Sequence, residues 1–177
     1  MAIEHLLLQS GDRLLIIGIG TGADLPLLPE KVGVIGIDLS PVMLRQARKK
    51  TVRTSAEVQL IVADAANLPL KTGEFDRVLL ALILSVIPDP QACLAEVTRV
   101  TSPDCKIVVL DKFLHSENPT FLRRLANVVI RLFGTDINRK LESMLVGSPF
   151  VIAFRKPAAF GRAYEVIELR HESCTAR

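Results

Sequence analysis

Tryptophan is absent from this 177-residue chain and tyrosine occurs once, so no aromatic platform for stacking nucleic-acid bases is in view. Net charge is also scarce. The formal excess is only +3 and the basic residues are spread along the chain, which argues against a nucleic-acid partner. The densest basic group, Arg45, Arg48, Lys49, Lys50 and Arg53, has the spacing of a solvated helix face. The cysteines Cys93, Cys105 and Cys174 are few, odd in number and far apart, with no C-x-x-C pair. That excludes a disulfide framework and leaves a reducing cytoplasm as the expected compartment. No histidine stands at zinc-ligand spacing except His171 before Cys174, alone, so no metal is expected. Long apolar runs are missing too. Val78 to Ile87 is interrupted by Ser85 and stopped by Pro88, short of the roughly 18 residues a membrane span requires. The opening stretch, with Glu4 and His5, lacks the pattern of a signal peptide. With no repeat or linker either, one domain over residues 1–177 is expected.

What is present is an alternation of short apolar runs and amphipathic segments. Arg13 to Ile17, Val32 to Ile37, Val58 to Val62, Phe75 to Leu84 and Lys106 to Leu110 read as strands. Their hydrophobicity is continuous rather than alternating, the mark of strands covered on both faces, as in parallel sheets. Helices start at Ser40-Pro41 and at Asp89-Pro90, where a capping side chain precedes a proline suited to the first helical position. Phe150 to Phe154 and Tyr164 to Leu169, joined through Pro157 and Gly161, predict a closing hairpin. The expected fold is α/β: one Rossmann-like, doubly wound, mostly parallel seven-stranded sheet with an antiparallel C-terminal edge hairpin.

The informative stretch is Leu14-Leu-Ile-Ile-Gly18-Ile-Gly20-Thr-Gly22-Ala-Asp24, a glycine-rich turn directly after the first strand. Open α/β sheets bind ligands at the carboxyl ends of their strands, where this turn falls. Gly18, Gly20 and Ala23 satisfy the dinucleotide pattern G-x-G-x-x-A, so NAD is a candidate. Asp24, however, stands where a pyrophosphate would need a helix N-terminus, and its carboxylate suits the cationic amino group of a methionine moiety better. Pro26 and Pro29 also break the segment that would have to be that helix. Asp38 ends the second strand 20 residues after Gly18, the spacing at which a carboxylate reaches the hydroxyls of an adenosine ribose. Asp64 ends the third strand, where a carboxylate can accept from an adenine amino group.

In combination, Ile17-Gly-Ile-Gly-Thr-Gly22, Gly36-Ile-Asp-Leu-Ser40, Ala63-Asp-Ala65, Leu68-Pro69, Phe75-Asp76, Ile87-Pro-Asp-Pro90 and Glu96-Val-Thr-Arg-Val100 form a pattern. Over about Gly11 to Leu110 it resembles the class I S-adenosylmethionine (SAM)-dependent methyltransferases, in particular the small-molecule group that includes ubiquinone/menaquinone-type enzymes. The resemblance implies SAM as cofactor, with Gly18, Gly20 and Gly22 along its methionine side and Asp38 on the ribose. It implies Leu39 and Met43 beside the adenine, Asp64 and Ala65 at the adenine edge, and Ala81 and Leu82 facing the sulfonium. Gly134-Thr-Asp-Ile-Asn-Arg139 is more loosely similar to bacterial phospholipid N-methyltransferase-like proteins. There are departures. Ser85-Val86 stands where such proteins often carry two histidines, Pro103-Asp-Cys105 replaces a Pro-Gly-Gly turn, and only about ten residues precede the first strand, which predicts an open pocket or one completed by a partner.

The one candidate catalytic base is His115, after the fifth strand. Thr120 to Phe133 predicts a helix with Arg123, Arg124, Asn127 and Arg131 on one stripe and a wide apolar arc elsewhere. That pattern suits a crossover helix on the sheet, and also a peripheral membrane contact, a lid over an apolar substrate or a homodimer contact. The expected activity is methyl transfer to a small, hydrophobic acceptor such as a quinone or a phospholipid head group. Two rivals stay open at this point: an NAD-binding oxidoreductase, and a non-catalytic SAM-binding or interaction protein.

Overall fold

The computed structural model describes residues 2–112, 141–158 and 164–172. After a short α1 (Ala2–His5), the first half of the chain builds β1 (Arg13–Ile17), β2 (Gly33–Asp38), α2 (Pro41–Thr51), β3 (Glu57–Val62) and β4 (Phe75–Ala81). Then come α3 (Pro90–Val100), β5 (Thr101–Asp111), α4 (Leu141–Leu145), β6 (Phe150–Pro157) and β7 (Glu165–His171). The strands form one seven-stranded sheet in the order β3-β2-β1-β4-β5-β7-β6. The first five run parallel, and β7 pairs antiparallel with both β5 and β6. This is the expected doubly wound sheet with a C-terminal hairpin at one edge. The outermost strand of that hairpin is β6, because β7 returns to fill the place beside β5. The strand order reverses between β1 and β4, so the crevice outside their carboxyl ends is the topological switch point.

Burial explains why the strand sequences are apolar throughout. Leu15, Ile17, Val78, Leu80 and Val109 point to one face, where they pack under Leu94, Val97 and Val100 of α3. Leu14, Ile16, Leu79 and Val108 point to the other, with Leu44 and Ala47 of α2 and Ile3 of α1. Both helices start as their sequences predict. The Ser40 hydroxyl accepts from Met43 N–H at 3.3 Å and the Asp89 carboxylate accepts from Ala92 N–H at 2.9 Å. The basic cluster of α2 is on its outer face, with Arg45, Arg48, Lys49 and Arg53 exposed.

Several strand boundaries differ from expectation, two of them with a clear structural reason. β4 ends at Ala81 rather than Leu84, because Leu82 adopts a left-handed φ of 54° and turns the chain out of the sheet. β5 begins at Thr101 rather than Lys106. Phe75 pairs with Thr101 and Arg77 with Lys106, so the Pro103-Asp-Cys105 segment is absorbed as an irregularity inside the strand, not a free turn. The predicted helix at 120–133, the segment 134–139 and His115 lie outside the described residues. Among the described residues no helix is long and apolar enough to cross a membrane.

Several of the sequence motifs are structural. Asp76 accepts from Arg13 N–H at 3.0 Å and so ties β4 to the start of β1. Glu96 accepts from Leu68 N–H at 2.7 Å, while Arg99 donates to Leu68 O at 3.0 Å and Leu70 O at 2.8 Å. The last turns of α3 thereby fix the loop between β3 and β4. Gly22, at φ +67°, is pressed against α2: an added Cβ would sit 2.8 Å from Leu25 Cδ1 and 3.1 Å from Ala47 Cα. Gly22→Ala is therefore expected to cost about 2–4 kcal/mol, combining a left-handed backbone with overpacking. Urea denaturation measures it; a loss under about 0.5 kcal/mol would mean that α2 shifts away at little cost.

Candidate functional site

At the end of β1 the chain folds over the end of its neighbour. Gly18 N–H and Ile19 N–H both donate to Ile37 O, at 2.9 and 3.0 Å. Gly18 is left-handed, at φ +78°, and a Cβ there would lie 2.5 Å from Ala81 O and 3.2 Å from Ile83 Cβ. Only glycine lets the loop close on the exit of β4. Gly20 differs. Its φ is +55°, and a Cβ would meet nothing nearer than Gly18 O at 3.9 Å, so the space beside it is open to a ligand.

Asp38 holds this loop in shape. Its Oδ2 accepts from Gly20 N–H at 2.8 Å and its Oδ1 from Ser40 N–H at 2.9 Å. A carboxylate has about four acceptor positions, so each oxygen keeps capacity for a hydroxyl of a bound molecule. Next to Asp38, Leu39 is 70% exposed and Met43 is 43% exposed, two apolar side chains left uncovered beside the carboxylate. At the end of β3, the exposed Asp64 accepts from Ala66 N–H at 2.9 Å and closes a turn, whereas Ala65 is buried in the core. At the end of β4, Ala81 is buried against Gly18 and Leu82 projects outward, 47% exposed. Gly18, Gly20, Asp38, Leu39, Met43, Ala81 and Leu82 thus gather around the ends of β1, β2 and β4, with Asp64 and Ala65 one strand further out.

Asp24 follows the loop at the start of a single turn of 3-10 helix, Leu25–Leu27. That is as short as its two prolines require. Among the described residues no hydrogen bond or ion pair engages its carboxylate; burial pushes its pKa up, and the nearby Lys50, which donates to Thr21 Oγ1 at 3.4 Å, pulls it down less. An isolated, half-buried carboxylate beside an open glycine is suited to a cationic group.

Two features of this edge escaped sequence reading. One is the hydrogen bond from Gly20 N–H to Asp38, invisible because the two residues are 18 positions apart. The other is the pairing of Asp111, a third strand-end carboxylate that the sequence offers as a structural cap, with Ser85 while fully buried at the end of β5. The signal for Asp111 itself was present, an acidic residue closing an apolar run as at Asp38 and Asp64. Among the described residues the two cysteines, Cys93 and Cys105, supply no nucleophile: burial pushes both up to about 12. A cavity of about 460 Å³ beside α3, lined by Gln91, Ala95, Thr98 and Met144, is formed without any residue of the glycine loop.

Residues 15–109, more than half of the chain, match a family model described as a methyltransferase domain. The chain belongs to this methyltransferase family. The matched span contains the glycine loop and the carboxylates of β2 and β3, which decides against the dinucleotide reading of the same G-x-G-x-x-A. Among curated relatives, a phosphatidylethanolamine N-methyltransferase of Cereibacter sphaeroides is 35% identical over 111 residues, covering 62% of this chain and 55% of that protein. A demethylmenaquinone methyltransferase of Thermus thermophilus is 34% identical over 113 residues, covering 62% of this chain and 51% of that protein. The chain therefore spans about half the length of the curated relatives it matches. The fold is shared with a SAM-dependent methyltransferase structure from Methanosarcina mazei, at a TM-score of 0.72 and 22% identity over 96% of each chain.

The Asp24 carboxylate has a testable thermodynamic signature. Its folded-state pKa is raised, so stability is lost as pH rises through that pKa, and Asp24→Asn, which never ionises, does not lose it. The variant should match the parent near pH 4, about where a free aspartate titrates, and become the more stable of the two towards pH 7. Thermal unfolding across that range checks it; a variant less stable at pH 7 would reveal a favourable partner for the carboxylate.

Proposed function

We propose that the chain is a SAM-dependent methyltransferase acting on a small acceptor of the quinone or phospholipid head-group class, with residues 1–177 forming one domain. The observation that carries the reading is the open glycine loop held by Asp38: Gly20 has room where a side chain would otherwise sit, and Asp38 has two oxygens with unused lone pairs facing the same edge. Gly18 and Gly20 would lie along the methionine portion, with Gly22 holding the loop against α2. Asp24 would take the methionine ammonium, and Asp38 the ribose hydroxyls. Leu39 and Met43 would cover the adenine, with Asp64 and Ala65 at its edge. Ala81 and Leu82 would border the sulfur. SAM supplies an electrophilic methyl carbon on a positively charged sulfur. What the protein supplies is alignment and exclusion of water, worth up to roughly 7–11 kcal/mol in favourable cases. The acceptor class is supported by the two relatives described above, one named for a phospholipid and one for a quinone.

Calorimetry tests the cofactor assignment directly. S-adenosylhomocysteine and SAM should bind and NAD should not; the reverse selectivity, or no binding of either adenosyl compound, would overturn it. Asp38→Ala should weaken S-adenosylhomocysteine by at least about tenfold, since it removes a charged acceptor worth about 1.5–3 kcal/mol and frees Gly20 N–H. Asp64→Ala, which removes only an exposed turn and one adenine contact, should weaken it less.

A further inference from the structure

Asp111 closes β5 at the carboxyl edge, one strand beyond β4. Its side chain is fully buried and, among the described residues, no cation is paired with it; it is held by donors from the loop that leaves β4 and by the backbone of Lys112. Ser85 N–H donates to Oδ2 at 3.0 Å, the Ser85 hydroxyl to Oδ1 at 2.5 Å, and Lys112 N–H to Oδ1 at 2.7 Å. The loop is tied down at its origin as well. Leu82, in its left-handed conformation, donates its N–H to Leu110 O at 2.7 Å, and residues 81–83 form the wall against which Gly18 closes.

Within residues 81–87 Ser85 has the one polar side chain, it is partly exposed, and the projecting Leu82 and Val86 flank it. A serine hydroxyl carries one proton and two acceptor lone pairs. Asp111 takes the proton, so Ser85 can present only an acceptor to anything that docks on this loop. An apolar residue in place of Asp111 would leave the hydroxyl free to rotate and to donate, whereas an amide there would still accept its proton.

We propose that Ser85, oriented by Asp111, is a specificity-determining residue whose hydroxyl oxygen accepts a hydrogen bond from an N–H or O–H of the methyl acceptor. Asp111 is then a positioning residue, acting through Ser85. The inference rests on the methyltransferase reading above and deepens it: the acceptor is a protic molecule, an amine or a hydroxyl compound, rather than one with acceptor atoms alone.

The test uses the full chain and the variants Ser85→Ala, Ser85→Thr and Asp111→Ala. S-adenosylhomocysteine affinity is measured by calorimetry. Transfer of a radiolabelled methyl group from SAM is measured to phosphatidylethanolamine vesicles, an N–H acceptor, and to a demethylated naphthoquinol, an O–H acceptor. Ser85→Ala and Asp111→Ala should leave S-adenosylhomocysteine affinity within about twofold and raise the acceptor KM about tenfold, the size of one lost hydrogen bond, with kcat within a few-fold. Ser85→Thr, which keeps the hydroxyl, should restore KM. The arm the parent protein uses identifies the source of the donor. An unchanged KM in Ser85→Ala, or equal impairment of the Ala and Thr variants, would overturn the inference. So would a parent protein that binds S-adenosylhomocysteine yet methylates neither acceptor. A parent that does not bind S-adenosylhomocysteine overturns the methyltransferase reading along with it.

Discussion

The hydrogen bond from Gly20 N–H to the Asp38 carboxylate joins the two segments on which the edge of the sheet is built. Without it, the turn after β1 would be a run of left-handed glycines with few bonds to hold them, and the entropy of that freedom would oppose a single shape. With it, the turn is docked on β2, and the same carboxylate, through Ser40 N–H, fixes the start of α2. The other features follow from that docking. Gly22 is then carried against Ala47, and Gly18 closes on Ala81 across the switch point. One charged group thus organises the loop and still faces a ligand with acceptor capacity to spare.

Family resemblance alone does not distinguish motif residues that bind from motif residues that build. The structure separates them here. Asp76, Glu96 and Arg99 satisfy backbone groups of β1 and of the loop before β4, at the far side of the sheet from the glycine turn or along its flank. Gly36 makes room for Ile19 and Leu60 within the layer under α2, where a Cβ would come within 2.3 Å of Ile19 Cδ1. Among the described residues, those left with unused capacity at the carboxyl edge include Gly20, Asp24, Asp38, Asp64 and Ser85. A fold of this kind is compatible with many reactions, and it is such uncommitted groups that narrow the choice.

Two of the carboxylates there, Asp24 and Asp111, are raised in pKa by burial, and neither has a paired cation among the described residues. A chain selected for stability alone would replace them by neutral residues of similar shape. Their neighbours have not compensated fully: Lys50 acts on Asp24 only at a distance, and Asp111 is satisfied by neutral donors. Both lie at the edge where the glycine loop opens, which is where a stability cost is expected to be tolerated in return for binding or orientation.

The sequence by itself determined the class of fold, most of the strands and the helices α2 and α3. Doubly covered strands must be apolar at every position, and Ser40-Pro41 and Asp89-Pro90 are local signals that need no distant partner. It also determined which glycines and which strand-end acids were candidates. Tertiary structure decided what each of them does. Leu82, an apolar residue in a strand-like run, ends β4 because the loop beyond it is tied to Asp111; no local preference predicts a left-handed leucine. The difference between Gly20, open, and Gly22, pressed on Ala47, and the pairing of Ser85 with Asp111 across 26 positions, depend on which elements the folded chain brings together. Periodicity and capping act within a few residues, whereas hydrogen-bond capacity and open space belong to contacts that exist only once the sheet has closed.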